Sequence, residues 1–144
     1  MAQPPSSALE HGYFVMAREG KIVRISVAEG INKELIQHYQ QDIARELARL
    51  AGSHWGVHLV LNGDVLMTPA ANDRLIQESK HHKDLGRCGT AIELVNCQAT
   101  RLIQRFWGNL YQQAGVPYCF VNNQQEAKAW LQQQIAIADS RGAS

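Results

Sequence analysis

Two rhythms of apolar spacing alternate along this chain. Residues 13–18 and 22–27 are short apolar runs separated by Glu19-Gly20-Lys21. Gly20 can supply the positive φ of a tight turn, so the pair predicts a β-hairpin. The spacing then lengthens. Leu35, Ile36, Tyr39, Ile43, Leu47 and Leu50 recur at three- and four-residue steps and predict a helix, capped by Asn32 and ended by Gly52. Residues 57–61 return to the strand rhythm, and Asn62-Gly63-Asp64 is turn chemistry. Thr68-Pro69 opens a second helix: a hydroxyl caps free N–H groups, and the ring needs none in the first turn. Leu75 and Ile76 anchor that helix, and Gly86 ends it. Residues 88–95 form a fourth strand. Residues 98–114 form a third helix with Ala99, Leu102, Ile103, Phe106, Trp107 and Leu110 on one side. After Gly115-Val116-Pro117, residues 118–121 read as a short buried strand. Asn123 and Glu126 make a capping box for a last helix carrying Ala127, Trp130 and Leu131, which frays after about Ala138.

The resulting order, ββαβαβαβα, predicts an α/β fold with a five-stranded mixed sheet. The hairpin is antiparallel, and parallel βα units follow. Strands covered on both faces are normally apolar throughout. Here Val23, Ile25 and Val27 alternate with Arg24 and Ser26. His58 lies between Val57 and Leu59, and Glu93 between Ile92 and Leu94. The alternation places the four helices mainly on one face. Arg24, His58 and Glu93 then look out of the other, as a solvated surface or as a face for a protein partner or a second copy.

Composition narrows the picture further. The 144 residues fit one domain, with tails expected over 1–10 and 139–144 and a single domain over 11–138. A formal charge of +1 is too weak to recruit nucleic acid electrostatically, and the strands lack the interleaved aromatics that stack bases. No apolar run approaches the roughly 20 residues of a transmembrane helix. The N-terminus lacks the features of a signal peptide. Cys88, Cys97 and Cys119 are odd in number and unpaired by motif. They read as reduced thiols, which suits a cytoplasmic location.

The last third of the chain carries a resemblance. A strand over residues 87–95, a helix with Phe106 and Trp107, a strand ending near Phe120, and then Glu126-Ala127-Lys128-Ala129-Trp130-Leu131 resemble the SpoIIAA-like family of STAS-type domains. That fold is related in shape to the Sec14 (CRAL-TRIO) lipid-binding domain. The element order agrees over residues 13–135. The resemblance implies a βα superhelix, usually without catalysis, that works through regulatory or ligand contacts. One departure is plain. Family members that antagonise anti-sigma factors carry Asp-Ser-Ser/Thr-Gly at the start of the helix after the third strand. This chain has Leu66-Met67-Thr68-Pro69-Ala70-Ala71. Thr68 is the single hydroxyl there. It suffices as a helix cap and is the one candidate for phosphorylation, since helix N-termini favour phosphate.

Other constellations carry less chemistry. His54 and His58 are separated by a glycine and a strand start, and His81-His82 are adjacent, so neither pair suits a shared metal. His81-His82 read instead as a solvated basic helix end. No nucleophile elbow and no phosphate-binding glycine loop occurs, and neither metal nor cofactor is expected. Lys80, Lys83, Arg87, Arg101 and Arg105 could form a basic patch for an anionic headgroup or nucleotide. Open α/β sheets bind ligands beyond their strand C-termini, which singles out Asn62, Asp64, Asn96 and Asn122 as a ligand edge. The expected function is a non-enzymatic regulatory or binding module. The first alternative is a carrier of lipid or apolar small molecules, and the second is a hydrolase without a recognisable motif.

Overall fold

The computed structural model describes residues 14–28, 31 and 33–142. Strands β1 (Phe14–Glu19) and β2 (Ile22–Ala28) form the antiparallel hairpin, turned at Gly20 with φ 61°. Strands β3 (Trp55–Asn62), β4 (Arg87–Val95) and β5 (Tyr118–Val121) add in parallel, in the order β1-β2-β3-β4-β5. Helices α1 (Lys33–Leu50), α2 (Pro69–Asp84), α3 (Thr100–Ala114) and α4 (Gln124–Gly142) complete the chain. The expected N-terminal tail, Tyr13 and the Asn32 cap lie outside the described residues.

Helices α1, α2 and α3 share one face. Val23, Ile25, Val27, Val57, Leu59, Leu61 and Ile92 project there and bury themselves against the apolar stripes of the three helices. The indole N–H groups within this layer are satisfied: Trp107 donates to the Val65 carbonyl at 2.9 Å and Trp55 to that of Leu85 at 3.0 Å. Each of these helices joins two neighbouring parallel strands, and right-handed crossovers running in one direction put all three on the same side.

Helix α4 lies on the opposite face. Its Ala127 and Leu131 pack on Ala91, with Trp130 alongside. Two strand glycines permit the close approach. A Cβ at Gly56 would sit 2.7 Å from Leu131 Cδ2, and one at Gly89 would sit 3.0 Å from the Trp130 ring.

The fourth helix corrects the expectation of a wet second face. His58 is 1% exposed and Glu93 is half-buried, while Arg24 alone of the three is exposed. The polar alternation was compatible with burial because His58 has a partner: its Nε2 lies 2.8 Å from Glu93 Oε1. Four other expectations change. His82 is fully buried although its neighbour His81 is exposed, because adjacent helical residues point about a quarter-turn apart. Leu102 is 52% exposed and leaves the α3 stripe to Ile103, Trp107, Leu110 and Tyr111. Strand β5 is half-buried rather than buried, as the sheet edge. Helix α4 continues past Ala138 to Gly142, where Asp139 meets His54 at 2.8 Å.

Candidate ligand site

The site begins with an irregularity in the sheet. Trp55 pairs with Arg87, but the next residue, Gly56, pairs with Gly89. Cys88 is therefore an extra residue in β4, and a bulge of this kind re-aims the side chains beside it. Arg87 and Thr90 end up on the same side, and Arg87 Nη2 donates to Thr90 Oγ1 at 2.7 Å. The guanidinium lies 5.4 Å from the centre of the Tyr111 ring, and its charge acts on the Tyr39 and Tyr111 hydroxyls.

Arg87 is 3% exposed, which makes it a buried cation. Among the described residues it forms no ion pair with a carboxylate, and its Nε has no hydrogen-bond partner. Burial also pushes the Tyr39 and Tyr111 hydroxyls above the ordinary phenol range, so neither supplies a negative charge. Removing a guanidinium from water costs several kcal/mol. A charge-assisted hydrogen bond returns about 1.5–3 kcal/mol and a desolvated ring contact about 2. No carboxylate among the described residues adds to these two contributions.

Arg87 borders a cavity of about 40 Å³ between α1 and the sheet. Its walls are apolar: Phe14, Ile25, Val27, Ile31, Leu35, Ile36, Val57, Leu59, Leu75 and Trp107. The polar part is confined to Arg87, Tyr39 and Tyr111. Behind it sit further buried polar groups. His82 packs against the Tyr39 and Trp55 rings at centroid distances of 6.3 and 5.6 Å, and its Nε2 approaches Glu78 Oε1 at 2.8 Å. Ser79 Oγ and His82 Nδ1 have no hydrogen-bond partner among the described residues. Buried polar atoms are usually satisfied, and among the cavity's own lining residues the unpartnered one is Arg87 Nε.

The residues singled out from the sequence fall elsewhere. Asp64 Oδ1 accepts from the backbone N–H groups of Gln98 and Ala99 at 2.8 and 3.1 Å and from Cys97 Sγ at 3.2 Å. These bonds hold its carboxyl below the usual carboxylate range, and they satisfy the start of α3. Asn122 is tied to Glu126, whose carboxylate accepts its backbone N–H at 3.1 Å, while Asn123 Oδ1 accepts from Glu126 N–H at 2.9 Å. The capping box thus reaches one residue further back than expected. Asn96 is exposed with φ 53°, and Asn62 ends β3. None of the four borders the Arg87 cavity. Thr68 caps α2, accepting from Ala71 N–H at 3.2 Å. Arg87, expected in a surface patch with Lys80, Lys83, Arg101 and Arg105, is the buried centre of the site instead. Its inward turn rests on the one-residue bulge, which leaves no mark in residue periodicity.

Neither a protein-family model nor a curated protein sequence matches this chain. Among solved structures, it is similar to an uncharacterized protein from the DUF3478 family with a SpoIIAA-like fold, from Shewanella loihica PV-4. The TM-score is 0.59 at 13% identity, and the match covers 89% of this chain and 99% of that one. The chain has a SpoIIAA-like fold.

On the α4 side of this SpoIIAA-like sheet, a groove runs beside the helix, lined by Ala17, Arg18, Glu19, Ile22, Arg24, His58, Gln124 and Lys128. Lys128 is bound to Glu19 at 2.6 Å. Burial holds His58 below the ordinary histidine range against the opposing pull of Glu93, so the ring is neutral at pH 7. A neutral histidine oriented by a carboxylate is half of a catalytic arrangement. Cys119 is two strands from His58, on β5 beyond β4, and burial pushes its thiol up to about 11, while the Cys88 and Cys97 thiols are raised too. None is an activated nucleophile. Among the described residues no three His, Cys, Asp or Glu side chains converge for a metal, and no helix is long and apolar enough to cross a membrane.

Proposed function

We propose that this SpoIIAA-like domain is a non-enzymatic binding module whose small ligand occupies the cavity between α1 and the sheet. The observation that carries this reading is Arg87, a buried cation with no carboxylate partner among the described residues, bordering an apolar cavity. Such a group is destabilising unless something binds it, which is the mark of function rather than of packing. The cavity volume of about 40 Å³ argues against the lipid-carrier alternative, because a water needs roughly 10–15 Å³ by the same measure. A few heavy atoms fit, and a diacyl lipid does not.

The test is a thermal-shift screen of the full chain against small organic anions, cations and neutral compounds. A ligand at a hundred times its Kd stabilises by about 2.7 kcal/mol, enough to move the transition by several degrees. If no compound of any charge moves it, the cavity is not a ligand site.

The open half of the second face supports the other reading, contact with a protein partner or a second copy. Val15 is 45% exposed there on an edge strand, and Arg24 is exposed beside it on β2. Sedimentation velocity tests self-association: a single monomeric species at all concentrations removes the second copy.

A further inference from the structure

We infer that the cavity takes a compact apolar monocarboxylate, its carboxylate seated between the Arg87 guanidinium and the Tyr39 and Tyr111 hydroxyls. This rests on the reading of the cavity as a ligand site and names what that site selects. The charge argument is one of balance. A single buried cation is neutralised by a single negative charge, and a phosphomonoester brings nearly two. The donor argument is geometric. A guanidinium presents a planar fork that matches a carboxylate, and the Nε of Arg87 is free to take part. Tyr39 and Tyr111 line the same cavity, and each has an O–H that can donate. Three groups on three elements, α1, β4 and α3, therefore converge on one acceptor.

The remainder of the ligand is apolar and short. Ile25, Val27, Leu59 and Trp107 line the space beyond the polar end, and the volume of about 40 Å³, room for three or four waters at roughly 10–15 Å³ each, admits one or two carbons beyond the carboxylate rather than a ring or a chain. The ligand class is thus that of the smallest aliphatic acids, acetate and propionate.

The experiment is isothermal titration calorimetry on the full chain with acetate, propionate, propionamide, propylamine and palmitate, each paired with a thermal-shift measurement. Acetate or propionate is expected to bind, with propionamide weaker by at least about tenfold, propylamine silent and palmitate no tighter than the short acids. Arg87→Met is expected to abolish acid binding without lowering Tm, since it removes a charge that no carboxylate among the described residues balances. Tyr111→Phe keeps the ring and the fold and is expected to weaken the acid about tenfold, so the test survives a failure of Arg87→Met to fold. Propionamide or propylamine binding as tightly as the acid would show a ligand site of another class. Acid binding that survives Arg87→Met would also overturn the assignment. Silence from all five probes here, alongside a hit in the broader screen, sinks the carboxylate alone; silence in both sinks the ligand site itself.

Discussion

Acidification below neutrality should weaken this fold through two buried histidines. His58 faces Glu93 across β4 and Arg24 on β2; His82 faces Glu78 and His81 on its own helix and Arg87 on β4. Burial is the largest cause in each case, and it holds both rings below the ordinary value of 6.5. A group whose folded pKa is depressed binds fewer protons folded than unfolded. Stability is therefore full above about pH 6.5 and declines as pH falls towards the depressed folded values, after which the loss stops growing. Within that window each histidine removes at most about 1.4 kcal/mol per pH unit, or about 2.7 for the pair. Glu78 is also held below its usual range, chiefly by the His82 contact, but its window lies lower, below the ordinary 4.5. Urea denaturation between pH 7.5 and 5 separates these effects. With a urea dependence of about 1–3 kcal/mol per molar, one histidine moves the midpoint by about 0.5–1.4 M per pH unit. His82→Leu, which suits the aromatic surroundings of Tyr39 and Trp55, should abolish its share of the slope, and His58→Gln should abolish the other. A midpoint that stays constant down to pH 5.5, or a slope unchanged in both variants, would refute the reasoning.

Three further outcomes follow from the packing and the caps. Leu131→Ala should cost about 2–5 kcal/mol, because Leu131 is fully buried where α4 meets Gly56 and the sheet; a loss below 1 kcal/mol in urea titration would mean that α4 is not docked. Thr68→Ala should cost about 0.5–2 kcal/mol through the Ala71 N–H, and Thr68→Asp, which can still cap, should recover most of it; equal losses in both variants would remove the capping role. Asp64→Ala should lower Tm and speed amide exchange at Gln98 and Ala99, whose N–H groups lose their acceptor; unchanged protection at those two amides would contradict the cap.

The element order was legible along the chain because apolar spacing follows the period of each backbone form, and the turns at Gly20, Gly52 and Gly115 have the positive φ that punctuates it. The placement of α1, α2 and α3 was legible too, since handed crossovers between successive parallel strands leave them one side. Helix α4 escaped that logic. It follows the edge strand β5 and joins it to no further strand among the described residues, so the crossover rule says nothing about where it lies. Only tertiary packing, with Leu131 and Trp130 seated on Gly56 and Gly89, sends it to the second face and shuts His58 away from water. The candidate site was hidden for a similar reason. Arg87 in sequence is one of five scattered cations. A single extra residue, Cys88, turns it inward, and the chain brings Tyr39 and Tyr111 to it from helices far apart in sequence. Local periodicity decides which segments are strands and helices, because it acts through neighbouring residues. Where a charge ends up depends on register and on which layers meet, and those are settled only when distant segments pack.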